Sequence, residues 1–301
     1  MTIYSEKKLA NFDEFCKGKP IEIEKALKRF IPSAKALKNK SIYLQILSRL
    51  ALTQAAQKKF KLAHKTLDKA EKELTSDQTL AKVRLILERG RVFLISYDFK
   101  AALPLIKKGY KLSKKYKFDT FTIDAAHMIP AIVNNVKEKI RWNQIAIDIA
   151  KKTRDKKLKE EWLVVLFQAI GLNYIEAKQY KKALSAFEQS KKLTGKFTPK
   201  IVILGANIGI AKSLRLLNFL DKALSIQLSL LKECNNLTKE NLHPIETNLF
   251  YGWVCEELAE IYLKNVTKFS SLAYQYLSKD LWHIKQEPKR LARMNKFKKL
   301  C

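Results

Sequence analysis

The stretch Gly171–Leu193, GLNYIEAKQYKKALSAFEQSKKL, decides how this chain folds. Most of it reads as ordinary Lys/Glu-rich helix, but Gly171, Tyr174, Tyr180, Ala183 and Phe187 break the monotony at fixed offsets. Small residues at 171 and 183 fall where two antiparallel helices would cross, so the backbones can close there. The aromatics at 174, 180 and 187 are then placed to fill the space beside that crossing.

Extended back to Phe167, the pattern is Phe167-x2-Ile170-Gly171-x2-Tyr174, then Tyr180-x2-Ala183-x3-Phe187-x2-Ser190. It recurs along the chain. Ile86, Gly90, Phe93, Phe99, Ala102, Ile106 and Gly109 keep the same offsets, as do Leu47, Ala51, Phe60, Ala63, Leu67 and Ala70. Ala211, Leu214, Leu220, Ala223 and Leu230 give another copy, and weaker ones centre on Ala146 and on Ala259 with Ala273. The second-helix alanines 63, 102, 146, 183, 223 and 273 are separated by 39, 44, 37, 40 and 50 residues.

This grammar resembles the tetratricopeptide repeat, whose signature is W-x2-L-G-x2-Y…A-x3-F over about 34 residues. The intervals here run longer than that consensus. Any antiparallel helical array is the alternative, but the small-residue-to-Ala offset favours the tetratricopeptide reading. The expected fold is all-α: a right-handed superhelical solenoid of about six such hairpins. Residues 1–40 lack the crossing pattern and are expected to form N-terminal capping helices, 41–282 the repeat array, and 283–301 a short basic C-terminal helix or tail. A closer resemblance, to a group of bacterial tetratricopeptide proteins, rests on DAAHMIPAI (124–132), RWNQIAIDIA (141–150), ALSIQLSLL (223–231), EELAEIYL (256–263) and YLSKDLWHIKQEPKRLARM (276–294). It implies architecture. Where that group carries paired asparagines before the glycine matching Gly171, this chain has Gln168 and Ala169.

Helix punctuation fits the repeats. Thr198 is expected as N-cap with Pro199 at the first helical position, and Pro244 opens a helix after the polar run NNLTKENL (235–242). Pro288 is expected to open a last short helix. Pro104 and Pro130 fall inside helical patterns, where a kink or a delayed start is expected.

Composition narrows the function classes. With 47% apolar residues and few Gly and Pro, the chain can bury a core and favours helix throughout. Four widely spaced cysteines, with no CxxC pair, point to a reducing compartment rather than a disulfide framework. MTIYSEKKLANFDEF (1–15) carries charges where a secretory signal needs an apolar core, and IVILGANIGIA (201–211) is too short to span a bilayer, so a cytoplasmic protein without a membrane span is expected. No metal or nucleotide motif occurs, the histidines do not cluster, and no cofactor is implied. His127, one turn after Asp124, reads best as a core or capping histidine. A non-catalytic protein is the expectation.

The formal net charge is +30, which invites an acidic protein, nucleic acid or an anionic surface. Of 59 basic residues only 10 are Arg, so the excess is Lys, the poorer bidentate reader of phosphate. IKKGYKLSKKYKF (106–118) interleaves lysines with Tyr110, Tyr116 and Phe118, whose spacing points inward, and the tail 285–299 is strongly basic. These give the alternative reading, a nucleic-acid-binding module using the Lys-rich surface and tail.

A stack of this kind presents a groove lined by its first helices. The repeat register puts there Arg84 and Arg91, then Asn135 with Glu138, Gln168 with Glu176, Lys212 and Arg215, and finally Trp253, Glu256 and Glu260. Such a groove would be basic through its N-terminal half and middle and acidic near its C-terminal end. It suits an extended peptide or helix of another protein, one bearing acidic residues, although solvated helix faces would carry the same residue types. The Lys/Asn clamp that grips chaperone C-termini is absent, because the matching places hold Ser48, Leu52, Leu87 and Arg91.

Overall fold

The computed structural model describes residues 12–15, 18–37, 40–195, 198–239 and 244–264. Among them the regular structure is helical throughout. A 3-10 turn, Phe12–Phe15, precedes α1 (Pro20–Lys35). The hairpins follow: α2 (Ser41–Ala56) with α3 (Phe60–Lys72), α4 (Thr79–Ile95) with α5 (Phe99–Lys115), and α6 (Asp119–Met128) with α7 (Val136–Lys152). Then come α8 (Lys156–Glu176) with α9 (Tyr180–Leu193), α10 (Lys200–Leu216) with α11 (Leu220–Lys239), and α12 (Pro244–Lys264).

First and second helices differ in what they bury, and that difference makes a stack. In α2 the buried residues are Tyr43, Leu44, Ile46, Leu47, Ser48, Leu50, Ala51, Thr53, Gln54 and Ala55, which is most of the helix circumference. Its partner α3 buries only Ala63, Leu67 and Ala70, one stripe at helical spacing. The pattern repeats in α4 against α5. A helix buried nearly all round must be covered on more than one side, and α2 packs against α1 before it and against α3 and α4 after it.

The crossings use the small residues the sequence pattern marks. Ala63, Ala102, Ala146, Ala183, Ala223 and Ala259 are all fully buried. At Gly171 a side-chain carbon would lie 2.8 Å from the Phe187 ring, and one at Gly209 on α10 would collide with the other edge of the same ring. Phe187, 1% exposed, is thus wedged between two helices that only glycine allows so close.

The chain falls into two compact units, Met1–Thr153 and Arg154–Cys301. In the N-terminal unit α1 packs on α2, anchored by Glu24. This nearly buried carboxylate accepts from Lys28 (2.7 Å), Gln57 (2.7 Å) and Lys59 (3.2 Å). Burial alone would raise its pKa, but these donors outweigh burial and bring it down to about 2. In the C-terminal unit Leu204, Ile208, Leu230, Val254, Leu258 and Ala259 form the core where α10, α11 and α12 meet.

Several local expectations shift. Helix α5 is continuous across Pro104, and it starts at Phe99 with Asp98 as N-cap accepting from the Ala101 amide at 3.1 Å. Pro130 does interrupt: α6 stops at Met128 and Ile129–Ala131 form a 3-10 turn, because proline offers no amide to continue the ladder. Pro199, not Thr198, occupies the N-cap of α10, while the Thr198 hydroxyl accepts from the Gly195 amide at 2.9 Å. Helix α11 runs on to Lys239, through half of the expected polar linker, since neither Gly nor Pro interrupts that stretch. Ala273, Pro288 and the basic tail lie outside the described residues.

Candidate interaction face

The expected groove residues sit on first helices in most cases, but nearly all of them are already engaged. On α4, Arg91 pairs with Glu88 at 3.1 Å and closes on Asp124 of α6. Burial opposes its charge; the two carboxylates overcome this and hold its pKa above the usual arginine value. On α10, Lys212 reaches Glu257 of α12 at 2.9 Å. Arg215 donates to Glu257 at 2.6 and 3.3 Å and to Glu260 at 3.2 Å. Glu257 is 2% exposed. Burial pushes its pKa up, but Lys212 and Arg215 more than compensate and take it to about 2.

A common device emerges. Arg91 follows the crossing residue Gly90, and Lys212 follows the crossing residue Ala211. Each sends its charge to a carboxylate on the next first helix. These cations are struts between repeats. The expected gradient, basic in the middle and acidic at the C-terminal end, is instead neutralised within the C-terminal unit, because Lys212 and Arg215 are spent on Glu257 and Glu260.

The remaining expected residues divide further. Gln168 donates to the Ser190 hydroxyl at 3.1 Å and to the Val202 carbonyl at 2.9 Å, tying α8 to both α9 and α10. Trp253 packs edge-on against Phe250, ring centroids 5.0 Å apart. Glu256 is 5% exposed and adds its field to Arg215. Asn135 and Glu138 are not on a first helix at all. Because α6 ends early at Pro130, Asn135 becomes the N-cap of α7, where it accepts from the Glu138 amide at 3.1 Å. Helix α8 exposes two apolar side chains, Val165 and Leu172, among its charged Lys156, Lys157, Glu160, Glu161 and Glu176.

Arg84 is the exception. Its guanidinium is held by Asp13 of the N-terminal turn and accepted by Gln45 of α2 at 3.5 Å, while the Phe12 and Phe121 rings lie 4.9 and 5.5 Å away. Phe12 is 2% exposed and belongs to the core of this unit. The Asp13 carboxylate is 47% exposed and also stands 3.9 Å from Arg49. Here a separate piece of chain, not the next repeat, answers the cation.

Sequence reasoning missed Phe12, Asp13, Gln45, Arg49, Asp124 and Glu257 as members of this face. The one legible hint was a basic pair on α10, Lys212 and Arg215, opposite a carboxylate-rich α12. On the second helices, Lys107, Tyr110 and Lys114 of α5 and Glu138, Arg141, Trp142 and Lys152 of α7 border an open cavity of about 530 Å³. Tyr110, expected to point inward as core, is half-buried against the core of its unit, stands edge-on to Trp142 at 5.1 Å and borders that cavity. Among the described residues no His/Cys/Asp/Glu group could hold a metal ion, and no helix is long and apolar enough to cross a membrane.

The hairpins, the small residues at their crossings and the inner first helices define a helical-repeat protein with the tetratricopeptide fold. Solved structures agree. The apo form of RapI is similar with a TM-score of 0.65 at 14% identity, over 93% of this chain and 76% of that one. A Rap protein complexed with Competence and Sporulation Factor is similar with a TM-score of 0.63 at 13% identity, over 96% and 80%. A signal-transduction ATPase with a tetratricopeptide repeat sensor from Pyrococcus horikoshii is similar with a TM-score of 0.66 at 14% identity, over 97% of this chain but only 43% of the ATPase. No protein-family model matches the chain, and no curated protein is similar to it in sequence.

Proposed function

We propose that the chain is a non-catalytic interaction scaffold, binding a peptide or helix of another protein along its first-helix face. The observation that carries this reading is the Arg84 site. A short chain segment with an aromatic and an acidic side chain already lies against two first helices, through Arg49 of α2 and Arg84 of α4. A Rap protein of the same fold is complexed with a factor, which supports the reading by analogy of fold. The exposed Val165 and Leu172 supply apolar contact in the C-terminal unit.

The test avoids the struts, whose loss would unfold rather than unbind. Affinity capture with the wild type and with Val165→Glu/Leu172→Glu should lose specific partners in the variant while its thermal unfolding is unchanged. An identical set of captured proteins counts against a groove-binding role. Acidic residues in the partner and a cytoplasmic setting belong to the same proposal.

A second reading, nucleic-acid binding, draws on the α5/α7 cavity, where four cations surround Tyr110 and Trp142. Phosphate contacts would weaken steeply between low and physiological salt. Absence of any shift of labelled single-stranded RNA or DNA at low salt removes it.

A further inference from the structure

Every other cation expected on the inner face is matched by a carboxylate of its own stack, but Arg84 is matched by the turn Phe12–Phe15. The turn Phe12–Phe15 is joined to α1 by residues 16–19 alone. From it Phe12 enters the core beside α1 and α2, and Asp13 closes on Arg84. The arginine is 8% exposed, sits within reach of two aromatic rings, and still leaves its Nε without an acceptor. A buried guanidinium with one idle donor is incompletely solvated by its present ligand. Asp13, half in water, contributes a contact that solvent and other carboxylates can replace.

We infer that the Arg84 pocket is a receptor for an aromatic–acidic residue pair of a partner peptide, and that Phe12–Asp13 is its resident occupant, which the partner must displace. The first half rests on the peptide-binding reading above; the second half, the internal latch, stands on its own contacts. The chemistry of the ligand follows from the lining. An aromatic ring stacks against the guanidinium and fills the hydrophobic slot, a carboxylate beside it meets Arg84 and Arg49, and the side-chain amide of Gln45 orients the arginine.

The latch sets the threshold for binding. A short tether gives an effective local concentration in the millimolar range. A segment with an intrinsic dissociation constant of about 0.1 mM would then be docked roughly nine-tenths of the time, and a competing peptide would bind about tenfold more weakly than to an empty pocket. Removal of the latch should recover that factor.

The experiment uses the full chain and a fluorescein-labelled peptide of residues 8–15, KLANFDEF. By anisotropy, the peptide should bind Phe12→Ala/Asp13→Ala about tenfold more tightly than the wild type. Adding Arg84→Ala to the double variant should abolish the gain, and a peptide with both its aromatic and acidic residue replaced by Ala should not bind. Equal affinity for wild type and double variant, or binding indifferent to Arg84→Ala, overturns the inference. Should the double variant lose helicity, Asp13→Asn replaces it, because that carboxylate is solvent-accessible. Faster amide hydrogen exchange at residues 12–15 then supports the latch, and unchanged protection overturns it. If the peptide behaves as expected but no partner bearing such a pair competes with it, the latch survives and the scaffold reading falls. If partners are captured that the peptide does not displace, the scaffold survives and the latch falls.

Discussion

Arg84 in the N-terminal unit and Arg215 in the C-terminal unit are both nearly buried arginines on first helices, expected alike to face a groove. Arg215 meets Glu257 and Glu260 of the next first helix, with Glu257 itself almost completely buried. Arg84 meets Gln45 from the preceding first helix and an aromatic ring from the following one, neither of them charged, so its counter-ion comes from outside the stack as Asp13. The residue type does not decide whether a cation is a strut or a receptor. The decision lies with the neighbouring helix, according to whether it supplies a carboxylate within reach. Arg91 shows that the strut arrangement is not confined to one unit, since Asp124 on α6 completes it there.

The comparison breaks most visibly under truncation. Replacing Glu257 by Ala takes the shared carboxylate from Lys212 and leaves the nearly buried Arg215 with Glu260 as its remaining ion-pair partner, and should lower the unfolding free energy by roughly 3 kcal/mol. Arg84→Ala removes a cation whose partner can return to water, and should lower it by roughly 1–2 kcal/mol. Urea unfolding of the two variants measures both. Equal losses would mean that the Asp13 contact is as structural as the Glu257 contact, and would erase the distinction between the two units.

Acid sharpens the contrast next. Glu24 and Glu257, one in each unit, have folded-state pKa values of about 2, against about 4.3 for a carboxyl in an unfolded chain. Their folded pKa is depressed, so the stability they contribute is present above about pH 4.3 and is lost as pH falls through that value towards 2. Both units should weaken in that window. Between pH 7 and 5 the N-terminal unit should weaken through its histidines, His64 and His127. Burial holds each below the usual imidazole pKa; at His127, Asp124 pulls the other way and Arg91 adds to the depression. A histidine kept neutral by the fold contributes stability above about pH 6.5 that is lost as pH falls, since the unfolded chain takes the proton first. The melting temperature of the wild type should therefore drop more between pH 7 and 5 than that of His127→Gln. Identical drops would show that His127 does not titrate with unfolding.

Much of the architecture was legible because packing geometry writes itself into residue size. The 12-residue offset from Gly171 to Ala183 is a distance along two helices that must touch, and any larger side chain at 171 would strike Phe187. The interaction face was less legible for two physical reasons. Helix boundaries depend on single prolines: Pro104 lets α5 pass and Pro130 stops α6, which moved Asn135 and Glu138 from a first helix to the start of a second. Charge pairing, in turn, joins residues about 40 positions apart, such as Arg215 with Glu257, and Arg84 with Asp13 is farther still. A helical face read alone shows a cation and not its answer.

The turns inside the hairpins carry the same lesson at the smallest scale, and yield the last prediction. Lys58, Tyr97, Lys178 and Asn218 each sit between a first and a second helix with φ of 61°, 63°, 57° and 68°, in the left-handed region. At each, the amide of the following residue reaches back to a carbonyl near the end of the first helix: Lys59 to Gln54, Asp98 to Phe93, Gln179 to Tyr174 and Phe219 to Leu214, at 2.8 to 2.9 Å. This is the closing bond of a helix C-cap that usually takes glycine. Lysine or tyrosine accepts the conformation only because the two packed helices fix the chain on either side, and nothing in KQYKK or SYDFK announces it. Relieving the contact between Cβ and carbonyl should stabilise, offset in part by the greater freedom glycine gives the unfolded chain. Lys178→Gly in the C-terminal unit and Lys58→Gly in the N-terminal unit should each raise stability by about 0.5 kcal/mol in urea unfolding. If Lys178→Gly stabilises while Lys58→Gly does not, the reason lies with Lys59. It stands beside the turn and also holds Glu24, so a looser turn there would spend part of its gain on loosening α1.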